Sequence, residues 1–195
     1  LGKHFFYFNF LAMLSPAPGV LLIADPFLKD THFQRSVVML CDHHEEGSFG
    51  FVINKKFEHK LDQLIAGFSG FPLDVYYGGP VQTDTLHFMH QYPNHIPGGM
   101  QVADGVYWGG DFSLLTEKLQ GGVLDASRLR FYIGYSGWGR GQLQNELDEK
   151  SWLTVSATRK LIFHRNIEEV WKDSLLHLGG EYRAMINYPL DPQLN

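Results

Sequence analysis

GVLLIADPFLKDTHFQRSVVMLCDHHEEGSFGFVIN, residues 19–54, holds three apolar runs separated by polar turns. The first, GVLLIA at 19–24, is continuous and closes on Asp25-Pro26, the pattern of a buried strand ending in a turn. SVVMLCD at 36–42 is β-branched at its start and predicts a second strand. HHEEG at 43–47 then turns the chain into SFGFVIN at 48–54. So short a polar loop between two strands predicts an antiparallel hairpin.

Outward from this sheet, Leu61, Leu64, Ile65 and Phe68 have the spacing of an amphipathic helix, with Gly70 just past its end. Val75-Tyr76-Tyr77 runs into Gly78-Gly79-Pro80, and residues 85–90 read as a strand. Pro93, Pro97 and Gly98-Gly99 mark a loop before Val106-Tyr107-Trp108. Asp111 caps a helix whose Phe112, Leu115 and Leu119 face inward and which Gly121-Gly122 ends. Residues 129–134 predict a strand, 135–141 a glycine-rich turn, and Leu143 with Leu147 a short helix. Residues 152–157 and 161–163 read as a last pair of strands. Asn166 and Glu169 resemble a capping box opening a helix with the stripe Ile167, Val170, Trp171, Leu175 and Leu178. The tail beyond Tyr188 is expected to be extended. Strands and helices interleave without regular βαβ alternation, linker or repeat, which predicts one mixed α+β domain over residues 1–195.

Composition narrows the function. With 195 residues, 44% hydrophobic and 19% charged, the chain is not of the disordered class. Sixteen basic against 21 acidic residues give a formal charge of −5, which argues against nucleic acid as a direct partner. One cysteine excludes an intrachain disulfide and a multi-thiolate zinc site, and points to a reducing, cytoplasmic setting. FFYFNFLAML at 5–14, between Lys3-His4 and SPAPG, mimics a short signal peptide. Prolines stand where cleavage is expected, and a bilayer span needs about 20 apolar residues. The segment therefore reads as an apolar arm packed on the core or on a second subunit, with no membrane partner.

Ser136 stands nearest to a catalytic motif. Gly134-Tyr135-Ser136-Gly137-Trp138 follows a predicted strand and precedes a predicted helix, the setting of a hydrolase nucleophile elbow. The fifth position is Trp138 where that elbow requires glycine, so an ordinary turn serine is the preferred reading. His164 and His177 are candidate bases and Asp173 a candidate orienter. Glycines at 137, 139 and 141 could present N–H groups to an anion, yet Gln142 stands where a dinucleotide fingerprint needs glycine. Of ten histidines, His43 and His44 are adjacent and His87 and His90 three apart. Each pair would split across an extended strand, so no metal is expected. Cys41, inside an apolar strand, reads as a buried inert thiol. Tyr76, Tyr77, Tyr107, Trp108, Tyr135 and Trp138 cluster at strand ends beside glycine-rich turns. Such aromatics either recognise ligands or pack as an amphipathic rim, the latter being preferred.

The first stretch, together with YYGGPV at 76–81 and GYSGWGRGQLQNEL at 134–147, resembles the YqgE/AlgH family of bacterial proteins. The likeness runs from about residue 19 to 179, leaving the arm at 1–18 outside it. It implies an α+β domain with a complex mixed β-sheet, partly closed as a small barrel and surrounded by helices. Members carry a transcriptional-regulator label without an established biochemical activity, and no cofactor or metal is implied. The matching positions are Asp25, Pro26, Phe33, Arg35, Ser36 and Asn54. Gly78, Gly79, Pro80 and Val81 follow, then Gly134, Tyr135, Gly137, Trp138, Gln142, Leu143, Glu146 and Trp152. In the family pattern the position of Ser136 is often alanine. From this set Arg35, Asn54, Gly78, Gly79, Tyr135, Trp138, Gln142 and Glu146 are ligand-binding candidates. For Arg35, Asn54, Gln142 and Glu146 a buried polar network is the favoured alternative. The expectation is a non-catalytic binding or regulatory protein, with a protein or small-molecule partner and an indirect effect on transcription. A Ser136 hydrolase and a direct DNA-binding regulator are the alternatives.

Overall fold

The computed structural model describes residues 13–189; the apolar arm as far as residue 12 and the tail from residue 190 lie outside them. The chain forms β1 (Val20–Ala24), β2 (Val37–His44), β3 (Gly47–Val52), β4 (Lys56–Lys60), α1 (Leu61–Leu64) and β5 (Asp74–Tyr77). It continues through β6 (Val81–His90), β7 (Met100–Ala103), β8 (Val106–Trp108), α2 (Phe112–Gln120), β9 (Leu129–Gly139) and α3 (Gln142–Asp148). β10 (Trp152–Ser156), α4 (Arg159–Ile162) and α5 (Val170–Leu178) complete the regular elements, followed by a 3-10 segment, Gly180–Asn187. The strand order is β10-β1-β2-β3-β9-β6-β8-β7, with β5 beside β9 and β4 beside β5. β5 and β9 run parallel and the other pairs antiparallel.

The sheet curls on itself as a half-barrel. Val102 of β7 enters the same buried cluster as Met39 and Cys41 of β2, although the two strands stand far apart in the strand order. Alternation along β1 and β2 explains their continuous apolar runs. Leu21, Ile23, Val37, Met39 and Cys41 point into the half-barrel, where α5 adds Val170, Trp171, Leu175 and Leu178. Val20, Leu22, Ala24, Val38 and Leu40 point outward, against Leu143 of α3, Trp138 and Trp152. A strand covered on both faces has no polar side to show. A third cluster joins Phe131, Leu129 and Ile133 of β9 to Leu115 and Leu119 of α2. Asp111 caps α2 as expected, accepting from the Leu114 N–H at 2.9 Å.

Several expected elements differ. The hairpin is tighter than read, because β2 reaches His44 and β3 begins at Gly47. The helix expected from Leu61 breaks at Ile65, which is extended (φ −129°, ψ 112°), and resumes as a 3-10 turn, Ala66–Phe68. Residues 161–163 are not a strand. Thr158 caps α4 there, its hydroxyl accepting from the Leu161 N–H at 3.2 Å, and three adjacent apolar residues carry no period that separates strand from helix. The glycine-rich turn at 135–141 is mostly strand: β9 continues to Gly139 and pairs with β3.

Gly78, Gly79 and Gly134 answer to a crossing. Ile133 of β9 pairs with Tyr77 of β5 on one edge and with Leu86 of β6 on the other. Residues 78–80 must therefore pass over β9. A Cβ at Gly78 would lie 2.3 Å from the Gly134 carbonyl oxygen, and one at Gly79 would lie 2.3 Å from the Tyr135 carbonyl. Gly134 itself takes φ +66°, a left-handed conformation that glycine adopts without steric cost. Gly78→Ala is expected to cost about 3 kcal/mol or more in urea unfolding, because the added Cβ meets the Gly134 backbone on one side and the buried Phe51 ring on the other. Gly67→Ala, in open space, is expected to stay within about 1 kcal/mol of the parent.

Candidate functional site

At one end of the half-barrel interior a concavity of about 570 Å³ opens between strands. Its walls are Phe49 from β3, His87 and Val81 from β6, Trp108 from β8, and Tyr135 and Trp138 from β9, with His44, Ser48 and the glycines 47 and 137 completing it. Pairing explains the opening. Phe49 stands opposite Gly137, which has no side chain to fill the space. The Tyr135 ring takes that room, since a Cβ at Gly137 would lie 3.2 Å from the ring Cε2. Phe49 meets Trp108 edge-on at 4.8 Å between centroids and Tyr135 at 6.1 Å; the His87 ring crosses Tyr135 at 87°. Phe49, Trp108 and Tyr135 are only half buried and pack against the inner cluster. None of the ten lining residues is an Asp, Glu, Lys or Arg.

His87 lies on the wall with its Nε2 buried and without a hydrogen-bond partner, and burial pushes its pKa down. His90, fully buried, is also held low by burial, against the opposing effect of its hydrogen bond to the Gly109 carbonyl (3.0 Å).

The residues expected from sequence separate into three groups. Tyr135 and Trp138 line the concavity. Gly78 and Gly79 form the crossing, and the Gly78 carbonyl accepts from both the Val52 N–H (2.8 Å) and the Ser136 hydroxyl (3.0 Å). Asn54 and Arg35 lie at the start of β2. The Asn54 side chain accepts from the Val37 N–H (2.8 Å) and donates to the Arg35 carbonyl (2.9 Å), prolonging the β2–β3 pairing. Arg35 takes φ +50°, donates to the Tyr188 carbonyl and stacks its guanidinium 4.8 Å from the Trp171 ring centroid. Gln142 and Glu146 sit with Trp138 and Trp152: one Glu146 carboxylate oxygen accepts from both indole N–H groups at 2.8 Å, and the other from the Gln142 amide at 2.9 Å. These bonds tie α3 to β9 and β10. Phe49 and His87 also wall the concavity, although Phe49 carries no motif signal and His87 suggests by sequence only a metal ligand.

No nucleophile elbow forms at Ser136. The residue lies within β9, fully buried, with its hydroxyl committed to Gly78. His164 and Asp173 do pair, Nε2 to Oδ2 at 3.1 Å, but the other imidazole nitrogen is engaged by the Asn166 backbone. Cys41 is buried, and burial followed by the Asp42 charge pushes its thiol well above the ordinary value. Among the described residues no group of three or more His, Cys, Asp or Glu could hold a metal ion, and no helix is long and apolar enough to cross a membrane.

Glu146→Ala removes the acceptor of two indole donors and is expected to cost about 2–3 kcal/mol in urea unfolding, with Glu146→Gln recovering part of it. The two histidines make stability depend on pH. Their folded pKa values lie below the unfolded value of about 6.5, so the unfolded chain takes up protons first. Stability is full above that value and declines as pH falls through the folded ones. Thermal melts from pH 7.5 to 5 are expected to show this decline, and His87→Phe to make it shallower.

A family model described as AlgH-like matches residues 21–183. A UPF0301 protein of Chlorobium limicola is 44% identical over 178 residues, covering 91% of this chain and 95% of its own length. One from Cytophaga hutchinsonii is 39% identical, covering 91% and 98%. The solution structure of the AlgH protein from Pseudomonas aeruginosa superposes with a TM-score of 0.69 at 26% identity, covering 91% of this chain and 98% of that one. A crystal structure of a Corynebacterium diphtheriae protein shares the fold, with a TM-score of 0.77 at 21% identity over 90% of this chain and 94% of that one. By its sequence and its fold, the chain belongs to the AlgH-like family.

Proposed function

We propose that this chain is a non-catalytic binding protein whose recognition site is the aromatic concavity, and that any regulatory effect passes through its occupancy. The carrying observation is the concavity itself. Four aromatic or imidazole rings from four different strands converge on an apolar recess at the mouth of a half-barrel, a place where small-molecule sites recur. The commitments of Ser136 and His164 to other hydrogen bonds favour binding over acyl transfer. A net charge of −5 favours an indirect route to transcription over DNA contact, and a single buried thiol suits the reducing cytoplasm.

The neutral fluorophore 1-aminoanthracene tests this reading. Its emission is expected to rise saturably with the intact protein. Trp108→Ala and Tyr135→Ala are expected to weaken binding at least tenfold, about 1.4 kcal/mol. Ser136→Ala is expected to keep affinity within about twofold, and a fluorophosphonate probe to leave Ser136 unlabelled. Steady turnover of an ester by the pure protein, lost in Ser136→Ala, would overturn the proposal.

A further inference from the structure

We infer that the concavity selects a small, uncharged aromatic molecule of one to three fused rings, and that His87 completes the recognition by hydrogen-bonding a polar atom on that ring system. The inference rests on the reading of the concavity as a binding site and names what it takes.

Size comes first. About 570 Å³ lies within the range of roughly 300–1,000 Å³ typical of small-molecule sites. Charge comes next. With no Asp, Glu, Lys or Arg in the lining, a fixed charge on the guest would shed water and meet no permanent counter-charge. On the neighbouring hairpin, Glu46 pairs with Arg140, and Asp42 lies 3.7 Å from His44. The guest is therefore neutral.

Ring geometry selects flatness. Phe49 stands at 63° to Trp108 and 81° to Tyr135, and His87 at 87° to Tyr135. Walls set at steep angles offer ring faces and ring edges together, so a planar π-system gains stacked and edge-on contacts at once. An aliphatic guest of equal area gains neither.

The unpaired His87 nitrogen selects polarity. Its Nε2 has lost water without gaining a partner, although the side chain lies on the wall. Such a group carries its desolvation cost until a partner is supplied. A guest that reaches this ring meets a neutral imidazole, which donates or accepts according to tautomer. Burial favours that neutral form.

Competition against 1-aminoanthracene on the intact protein tests each element. Indole (a donor), quinoline (an acceptor) and naphthalene are compared with decahydronaphthalene and with the charged tryptamine and indole-3-carboxylate. The aromatic bicycles are expected to displace the fluorophore at least fivefold better than decahydronaphthalene, and indole at least fivefold better than either charged relative. In His87→Phe, naphthalene is expected to hold its affinity within about threefold. The preference of the parent for indole or quinoline over naphthalene should fall at least fivefold. Should that variant not fold, His87→Leu takes its place with the same expected ratio. Equal competition by decahydronaphthalene or by the charged compounds overturns the aromatic or the uncharged assignment while leaving the binding site intact. An unchanged ratio in the His87 variant overturns its role. Absence of any 1-aminoanthracene binding removes the binding reading itself.

Discussion

Residues 78–80 cross β9 at backbone contact, and the strand order beyond β5 follows from that crossing. β3 and β5 lie in line along one edge of β9, the Gly78 carbonyl accepting from the N–H of Val52 at the end of β3. With that edge filled, the next strand can pair with β9 only on the far side. Reaching it takes the chain over β9 with no room for side chains, and Gly78, Gly79 and Gly134 supply that clearance together. The Ser136 hydroxyl then adds a hydrogen bond to the Gly78 carbonyl, pinning the crossing where the sheet begins to curl.

The same crossing creates the concavity. Because β3 and β6 flank β9 on opposite edges, and β8 pairs with β6, the half-barrel brings Phe49, Tyr135, His87 and Trp108 around one recess. Elsewhere the interior is filled by α5, whose Trp171 indole donates to the Ala24 carbonyl at 2.8 Å and seats the helix against β1. On the outer face, Glu146 joins Trp138 to Trp152 by charge-assisted hydrogen bonds, which hold β9 and β10 against α3 behind the recess.

Much of this was legible in the chain. The runs at 20–24 and 37–52 carry their strand character in apolar continuity and β-branching. Helix α2 carries its start in Asp111 and its end in Gly121. Asn54, Gln142 and Glu146 do make local hydrogen bonds, but Gln142 is exposed and Asn54 and Glu146 are half-buried, so the network lies at the surface and not in the core. Other segments misled for definable reasons. Gly137 looks like a turn residue because a glycine whose place leaves room for a neighbouring ring has the same local signature as one needed for a bend. Met100–Ala103 lacks a run of β-branched residues and becomes a strand by pairing with β8. Leu61 to Phe68 keep their helical spacing, yet extension at Ile65 splits the segment into two short turns.

By itself the sequence determined the α+β class, the buried β1–β2–β3 meander, the two longer helices and the kinship with the AlgH-like family. These properties reside in burial periodicity, caps and ordered motifs, which neighbouring residues express without knowledge of the rest of the chain. Only the tertiary structure decided which edge of β9 receives β6, that Ser136 is a bridging donor within a strand, and that Phe49 and His87 share a recess with Trp108 and Tyr135. Edge choice and register are set by backbone hydrogen bonds between distant segments. A one-residue slip would send each of those rings to the opposite face of the sheet.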